Sequence, residues 1–387
     1  MSMQNIKKYF HLNHFHQDKL KIKLYIIFQN QPVWLISQTR FRIYTLKTIA
    51  KARPLPGKHF QVFFTRMAGI FYIMWISLML ISGCTSMLPS GLTPEPGSYK
   101  AKVNMRINGF RRTYRVRLPS GYNHHRPLPA VLVIHGAFDT AKKMEHVSGF
   151  SQLADRENFI VIYPEGMGIF GFLQHWNAGH CCGKAAADQI DDTGFLKSVI
   201  EHACSRLAID QQRVYMTGFS NGGMLVHKFA AEKGHLIAAA APLAAAAGGG
   251  SGAKCPEWTP PRPKTAVPVL IMHGTSDLSV PFEGTKNNGS KKNGRIYWPA
   301  MQSAGFWADQ NKCQKDSAIK NLGKGKIQVT TWSGSPDQAD VILFTLHGWG
   351  HKWPGRFYTS RLSRQDPLYD FDAAEIIWDF FKTKTRR

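Results

Sequence analysis

A serine hydroxyl becomes a useful nucleophile only beside a base that takes its proton, and that base works best when an acid orients it. Gly218-Phe219-Ser220-Asn221-Gly222 offers such a serine in a Gly-x-Ser-x-Gly arrangement. The strand-like stretch 213–217 leads into it and a helical pattern begins at Asn221, so the spacing predicts a sharp strand-turn-helix with Ser220 at its tip. Glycines suit that turn, because a Cβ would collide where strained backbone passes close to its neighbours. Ser220 then stands at a helix N-terminus, whose free N–H groups favour a developing oxyanion. A helix-capping serine is the plainer reading of the same five residues.

With this kind of elbow the acid and the base follow the nucleophile along the chain. Asp277 lies in His273-Gly274-Thr275-Ser276-Asp277, just past the apolar run 267–272, where the carboxyl end of a buried strand meets an active-site face. Asp309, on a predicted helix, and Asp340, at a strand entrance, are the alternative acids. The expected base is His351, in the Gly- and Pro-punctuated loop 347–355 after the run 341–346; His347, at the strand end, is its rival. His351 Nε2 would take the Ser220 proton while Asp277 holds Nδ1. His135-Gly136-Ala137-Phe138 follows the run 131–134 and supplies an oxyanion loop. The backbone N–H groups of Ala137 and Asn221 are the expected oxyanion donors, and His135 the residue that fixes the loop. Trp176 and Trp353 offer faces for an aromatic acid or a sugar, or else pack their loops. There is no Cys-x-x-Cys pair or Cys/His ladder, and adjacent Cys181-Cys182 make a poor chelate. The cysteines read as packing or disulfide residues.

These residues need a sheet to position them. Alternating stretches 102–107 and 112–118 flank Asn108-Gly109, a dipeptide that favours a tight hairpin. Continuous apolar runs at 130–134, 159–163, 213–216, 237–243, 267–272 and 341–346 suit strands buried on both faces. Helical stripes run over 188–207 and 221–233, and a closing helix starts at Asp372, whose spacing to Glu375 forms a capping box. The pattern is α/β: an α/β-hydrolase fold, with a mostly parallel, doubly wound sheet and an N-terminal antiparallel hairpin, over residues 99–387.

Upstream, residues 67–84 form an uncharged apolar run ending Ile81-Ser82-Gly83-Cys84, preceded by Arg66. This reads as a signal-peptide core, and its tail resembles a bacterial lipobox, which implies diacylation of Cys84 and cleavage before it. A membrane-spanning helix is the rival, but the run falls short of the ~20 apolar residues a bilayer needs. Residues 85–98, rich in Pro, Ser, Thr and Gly, read as a tether, and 1–66 as a basic extension upstream of a start nearer Val62 or Met67. An organellar transit peptide is the alternative for that extension. The extension holds 12 Lys or Arg against the single acid Asp18, so 11 of the 24 net positive charges lie there. The remaining basic residues are scattered and form no nucleic-acid-binding pattern. The expected location is extracellular or periplasmic, membrane-anchored through Cys84; with that residue acylated, the other five of the six cysteines leave at least one without an intramolecular partner.

His135-Gly136, Trp176-Asn177-Ala178-Gly179, Cys181-Cys182-Gly183, Asp191-Asp192, the Ser220 elbow, His273-Gly274-Thr275 with Asp277, Val280-Pro281 and Gly350-His351 with Trp353-Pro354-Gly355 together resemble one family. The chain is similar to the polyhydroxybutyrate depolymerase and feruloyl or acetylxylan esterase group, carbohydrate esterase family 1, in its LpqC-like lipoprotein branch. The resemblance spans nearly all of 99–387 and implies a cofactor-free carboxylic ester hydrolase with the triad Ser220, Asp277 and His351. Family members often carry Cys where Ala137 stands and Gly where Trp349 stands. They usually place a cysteine near Ser333-Gly334-Ser335 that would partner Cys313. A tryptophan at 349 is expected to narrow the leaving-group side. With no separate substrate-binding module after the closing helix, soluble hydroxyalkanoate oligomers or small esters are expected in preference to solid polymer. A feruloyl or acetylxylan esterase is the same chemistry on another substrate, and a catalytically idle, partner-binding envelope lipoprotein is the reading from another class.

Overall fold

The computed structural model describes residues 86–87, 94–107, 110–169, 172–250, 257–285 and 295–386. All belong to the second of two compact units, Gly83–Arg387. The basic extension 1–66, the signal segment 67–84 with Cys84, and most of the tether lie outside the described residues. Within the tether, Ser86–Met87 (β1) pairs in parallel with Tyr99 and Lys100, so this part lies along a sheet edge instead of running free.

Eleven strands form one sheet in the order β1-β2-β3-β5-β4-β8-β9-β11-β15-β14-β13. The antiparallel hairpin is Gly97–Ile107 (β2) and Phe110–Leu118 (β3). Six neighbouring strands are parallel: Ile160–Pro164 (β5), Leu128–Ile134 (β4), Ile209–Phe219 (β8), Ala239–Leu243 (β9), Val269–Gly274 (β11) and Val341–Leu346 (β15). These are the six apolar runs of the sequence, with ends moved by a few residues. Ile327–Trp332 (β14) and Ala318–Leu322 (β13) extend the far edge antiparallel, and this hairpin was not anticipated. Two small ribbons lie apart from the sheet, Met167–Ile169 (β6) with Phe172–His175 (β7), and Gly249–Gly250 (β10) with Ile296–Tyr297 (β12).

Alternate strand residues feed two cores. Leu132 and Ile134 join Phe195, Phe229 and Trp307 from the helices Asp192–Cys204, Asn221–Lys233 and Ala300–Gln310. Val131 and Val133 join Met144, Phe150, Trp378 and Phe381 from Ala141–Ser148, Phe150–Glu157 and Ala373–Phe381. Covering both faces explains why the central strands read as unbroken apolar runs. Each large side chain so buried contributes about 1.5–3 kcal/mol. The predicted stripe over 188–207 is shorter, because Asp191 caps a helix beginning at Asp192 by accepting from Gly194 N at 2.8 Å. At the closing helix Asp372 accepts from Ala374 N at 3.0 Å. The reciprocal half of the expected capping box is absent, since the Glu375 carboxylate pairs with Arg156 instead.

Candidate active site

Strand register sets the stage. Ile134 lies opposite Gly218, Leu243 opposite both Phe219 and Met272, and Gly274 opposite Leu346. The carboxyl ends of β4, β8, β11 and β15 are therefore level, and the loops that follow them emerge on one edge of the sheet. This is where open α/β sheets bind their ligands.

Ser220 sits between β8 and the helix Asn221–Lys233 at φ 54°, ψ −123°, a backbone region costly for any residue with a Cβ. Its N–H donates to Leu243 O at 2.9 Å, which pins the elbow to β9. A Cβ on Gly222 would fall 2.3 Å from His135 O and 2.6 Å from Ile134 O, and one on Gly218 2.7 Å from Gly222 O. These are backbone atoms, so a side chain there would force the helix off the sheet.

Ser220 Oγ lies 2.9 Å from His351 Nε2, and His351 Nδ1 lies 2.7 Å from Asp277 Oδ2. With Nδ1–H donating to the carboxylate, Nε2 is free to accept from the serine hydroxyl. The two loops are stitched together: Thr275 N donates to Leu346 O, Ser276 N to Trp349 O and Gly348 N to Thr275 Oγ1, all at 3.0 Å. Asp277 Oδ1 accepts from the N–H groups of Ser279 and Val280, each at 2.8 Å. Burial opposes ionisation of Asp277, yet the hydrogen bonds from His273, His351 and Val280 N, with the charge on His351, hold its carboxyl well below the usual carboxylate range. The rival residues lie elsewhere. His347 is exposed, Asp309 rides on the helix Ala300–Gln310, and Asp340 offers its carbonyl to Val269 N at the entrance of β11.

Gly136 lies against the elbow, its Cβ position 3.4 Å from Ser220 Cβ, which brings Ala137 to the serine's side. Phe138 N donates to Gln174 O at 2.8 Å. Asn221 opens the helix, where first-turn N–H groups have no intrahelical acceptor. His135 holds the loop from within: Nδ1 lies 2.8 Å from Gly136 O and Nε2 accepts from Gly166 N at 3.0 Å.

The two tryptophans do not serve as exposed platforms. Trp176 is fully buried, its Nε1 donating to His135 O at 2.9 Å and its ring stacked on Phe195. Trp353 is buried against Phe150. Their apolar area closes the core beneath the loops, so the expected substrate contacts are corrected to packing. Trp349 is likewise buried, and its Nε1 donates to Lys352 O at 2.8 Å, so it braces the His351 loop instead of narrowing the site. Cys181 and Cys182 are bonded to each other. Cys313 is a free thiol, and where the family cysteine was expected Ser335 Oγ donates to Asn311 O at 2.7 Å.

Two supports escaped the sequence. The buried Asn221 side chain clasps the Trp176 main chain, Oδ1 accepting from its N–H at 2.8 Å and Nδ2 donating to its carbonyl at 3.0 Å. Arg112 and Asp192 form a buried pair at 2.9 Å, and Asp192 accepts from Asn177 N at 2.7 Å. The Trp176-Asn177 and Asp191-Asp192 motifs and Asn221 stand out in the sequence, but not the contacts between them.

Residues 112–253 match the family model of Esterase PHB depolymerase, a span that contains the Ser220 elbow and ends before Asp277 and His351. Feruloyl esterase B from Piromyces equi is 29% identical over 239 residues, 61% of this chain and 42% of the relative. The putative esterase NocK from Nocardia uniformis is 28% identical over 296 residues, 68% of this chain and 80% of the relative. Poly(3-hydroxyalkanoate) depolymerase C from Paucimonas lemoignei is 29% identical over 133 residues, 33% of this chain and 30% of the relative. The chain thus spans less than half of the first and last of these and most of the second. Over residues 112–253 it matches the Esterase PHB depolymerase family, and it is similar to feruloyl and acetylxylan esterases.

Proposed function

We propose that the chain is a serine carboxylic ester hydrolase that works through an acyl-enzyme at Ser220. The unbroken line from Ser220 Oγ through His351 to Asp277, at 2.9 and 2.7 Å, carries this reading. As Oγ bonds to the ester carbonyl carbon, His351 Nε2 takes its proton, and the carbonyl π pair moves onto oxygen facing the N–H groups of Ala137 and Asn221. Collapse expels the alkoxide, which receives the same proton from His351. A water then gives His351 a proton as it attacks the acyl carbon, and the acid leaves with Ser220 restored. Asp277 stays ionised throughout and stabilises the imidazolium.

The substrates we favour are hydroxyalkanoate oligomers or small esters. Support comes from the matched family and from two exposed apolar side chains on the loops flanking the elbow, Phe138, 65% exposed beside Ala137, and Leu278, 94% exposed beside Asp277. An aryl or alkyl group would cover such surface, whereas a hydrated sugar gains less from it. Release of ferulate or acetate from plant cell wall is the second reading, favoured by the feruloyl and acetylxylan esterases among the relatives. We further propose export and lipidation at Cys84, supported by the apolar run and the Ile-Ser-Gly-Cys tail. Among the described residues no helix is long and apolar enough to cross a membrane. Turnover measured side by side on hydroxybutyrate oligomers, methyl ferulate and acetylated xylan tests the substrate reading. The oligomers should be cleaved fastest, and a clear preference for acetylated xylan would reverse it.

A further inference from the structure

The triad acid has a second histidine behind it. His273, at the end of β11, is almost completely buried, and its Nε2 lies 2.8 Å from Val280 O and 3.5 Å from Asp277 Oδ2. A carbonyl only accepts, so Nε2 must carry the proton. Nδ1 is buried without a hydrogen-bond partner, which leaves it the unprotonated nitrogen and gives a neutral Nε2–H tautomer. Oδ2, the oxygen approached by this N–H, is also the one that accepts from His351 Nδ1, while Oδ1 is taken by two backbone N–H groups. The carboxylate is thus held by three hydrogen bonds, with the His273 N–H beside Oδ2 at 3.5 Å, and has little freedom to rotate.

We infer that His273 is a positioning residue of the hydrolase: its Nε2–H ties the 277–280 turn through Val280 O and shares Oδ2 with His351, fixing the direction in which Asp277 presents its charge. The inference rests on the serine esterase reading. Two consequences separate it from mere packing. Loss of the N–H frees the turn, so the acid no longer holds His351 in line with Ser220 and turnover falls. Loss of the neighbouring donor also leaves Oδ2 to His351 alone, so the acid limb of the pH profile moves upward. The titratable groups facing Asp277 are His273 and His351, and His227, from the helix Asn221–Lys233, lies near His273.

The test measures kcat, KM and the pH profile of kcat/KM on p-nitrophenyl butyrate for the wild type, His273→Leu and His273→Gln, with thermal melts as the folding control. A glutamine amide N–H reaches the place of the imidazole Nε2–H; leucine fills the volume without it. His273→Leu should lower kcat about 10-fold with KM within about 2-fold, and move the acid limb upward by about half a pH unit to one unit. His273→Gln should restore most of both. If His273→Leu does not fold, His273→Asn replaces it, because its shorter amide falls short of the Nε2 position. An unmoved acid limb with near-wild-type kcat, or folded Gln and Leu variants that behave alike, overturns the inference. Ser220→Ala in the same assay keeps the two readings apart: wild-type turnover there refutes the esterase, while an inactive Ser220→Ala with an unmoved limb in the His273 variants refutes only the positioning.

Discussion

Replacing Asn221 by alanine removes the amide that clasps the Trp176 main chain but leaves the helix N-terminal N–H of residue 221 in place. The two lost bonds are unequal. Trp176 O still accepts from Cys182 N at 3.0 Å, whereas Trp176 N–H, at a fully buried residue, loses its acceptor at Asn221 Oδ1. One orphaned donor costs about 1–3 kcal/mol and the lost bond to the carbonyl about 1 kcal/mol more, so destabilisation of about 2–4 kcal/mol is expected. For a domain of this size that lowers Tm by about 5–10 °C. Because Trp176 Nε1 also holds His135 O at the root of the Ala137 loop, kcat/KM should fall about 10-fold even at temperatures where the variant is folded. Calorimetry and p-nitrophenyl butyrate kinetics at 20 °C measure both. A melt within about 1 °C of wild type would refute the clasp as a support, and unchanged kcat/KM would refute its link to the oxyanion loop.

Gly222→Ala should fail to accumulate as folded protein, since its Cβ would meet two backbone oxygens, and solubility with circular dichroism reports it. His180 and His227 are buried neutral, with pKa values pushed down to about 3 chiefly by burial. In the unfolded chain they titrate near pH ~6.5, so their contribution is fully present above that pH and is lost as pH falls toward ~3, by about 1.4 kcal/mol per unit for each. Urea unfolding at pH 7, 6 and 5 should show this slope, and His227→Gln should reduce it by about half. Phe138→Ala should raise KM several-fold for p-nitrophenyl butyrate more than for the acetate if that ring receives the acyl or aryl group. Cys84→Ser should abolish incorporation of labelled palmitate and release activity from the membrane fraction.

The parts of the site legible in the sequence were those written locally. A strand, a glycine-flanked serine and a helical stripe are contiguous, and the Asp277 and His351 loops follow apolar runs that could only be buried strands. Side-chain burial at a distance was not legible. Trp176 and Trp353 stand in loops beside the site, and nothing local shows that Phe195 and Phe150 pack against them. The Asn221 clasp joins residues 45 apart in sequence. The β13–β14 hairpin was missed because an edge strand such as Ala318–Leu322, exposed along its length, has no buried face to impose alternation. The short helix Ala141–Ser148 offers few apolar positions, chiefly Met144 and Val147, too few to set a period.

The most direct test of the account is the fate of Ser220. Wild-type protein mixed with p-nitrophenyl butyrate and quenched in acid should yield an intact mass raised by one butyryl group, mapped to the peptide holding Ser220. Ser220→Ala should show neither the adduct nor turnover above about one ten-thousandth of wild type. Equal hydrolysis by the two proteins, or an acyl group on another residue, would contradict it.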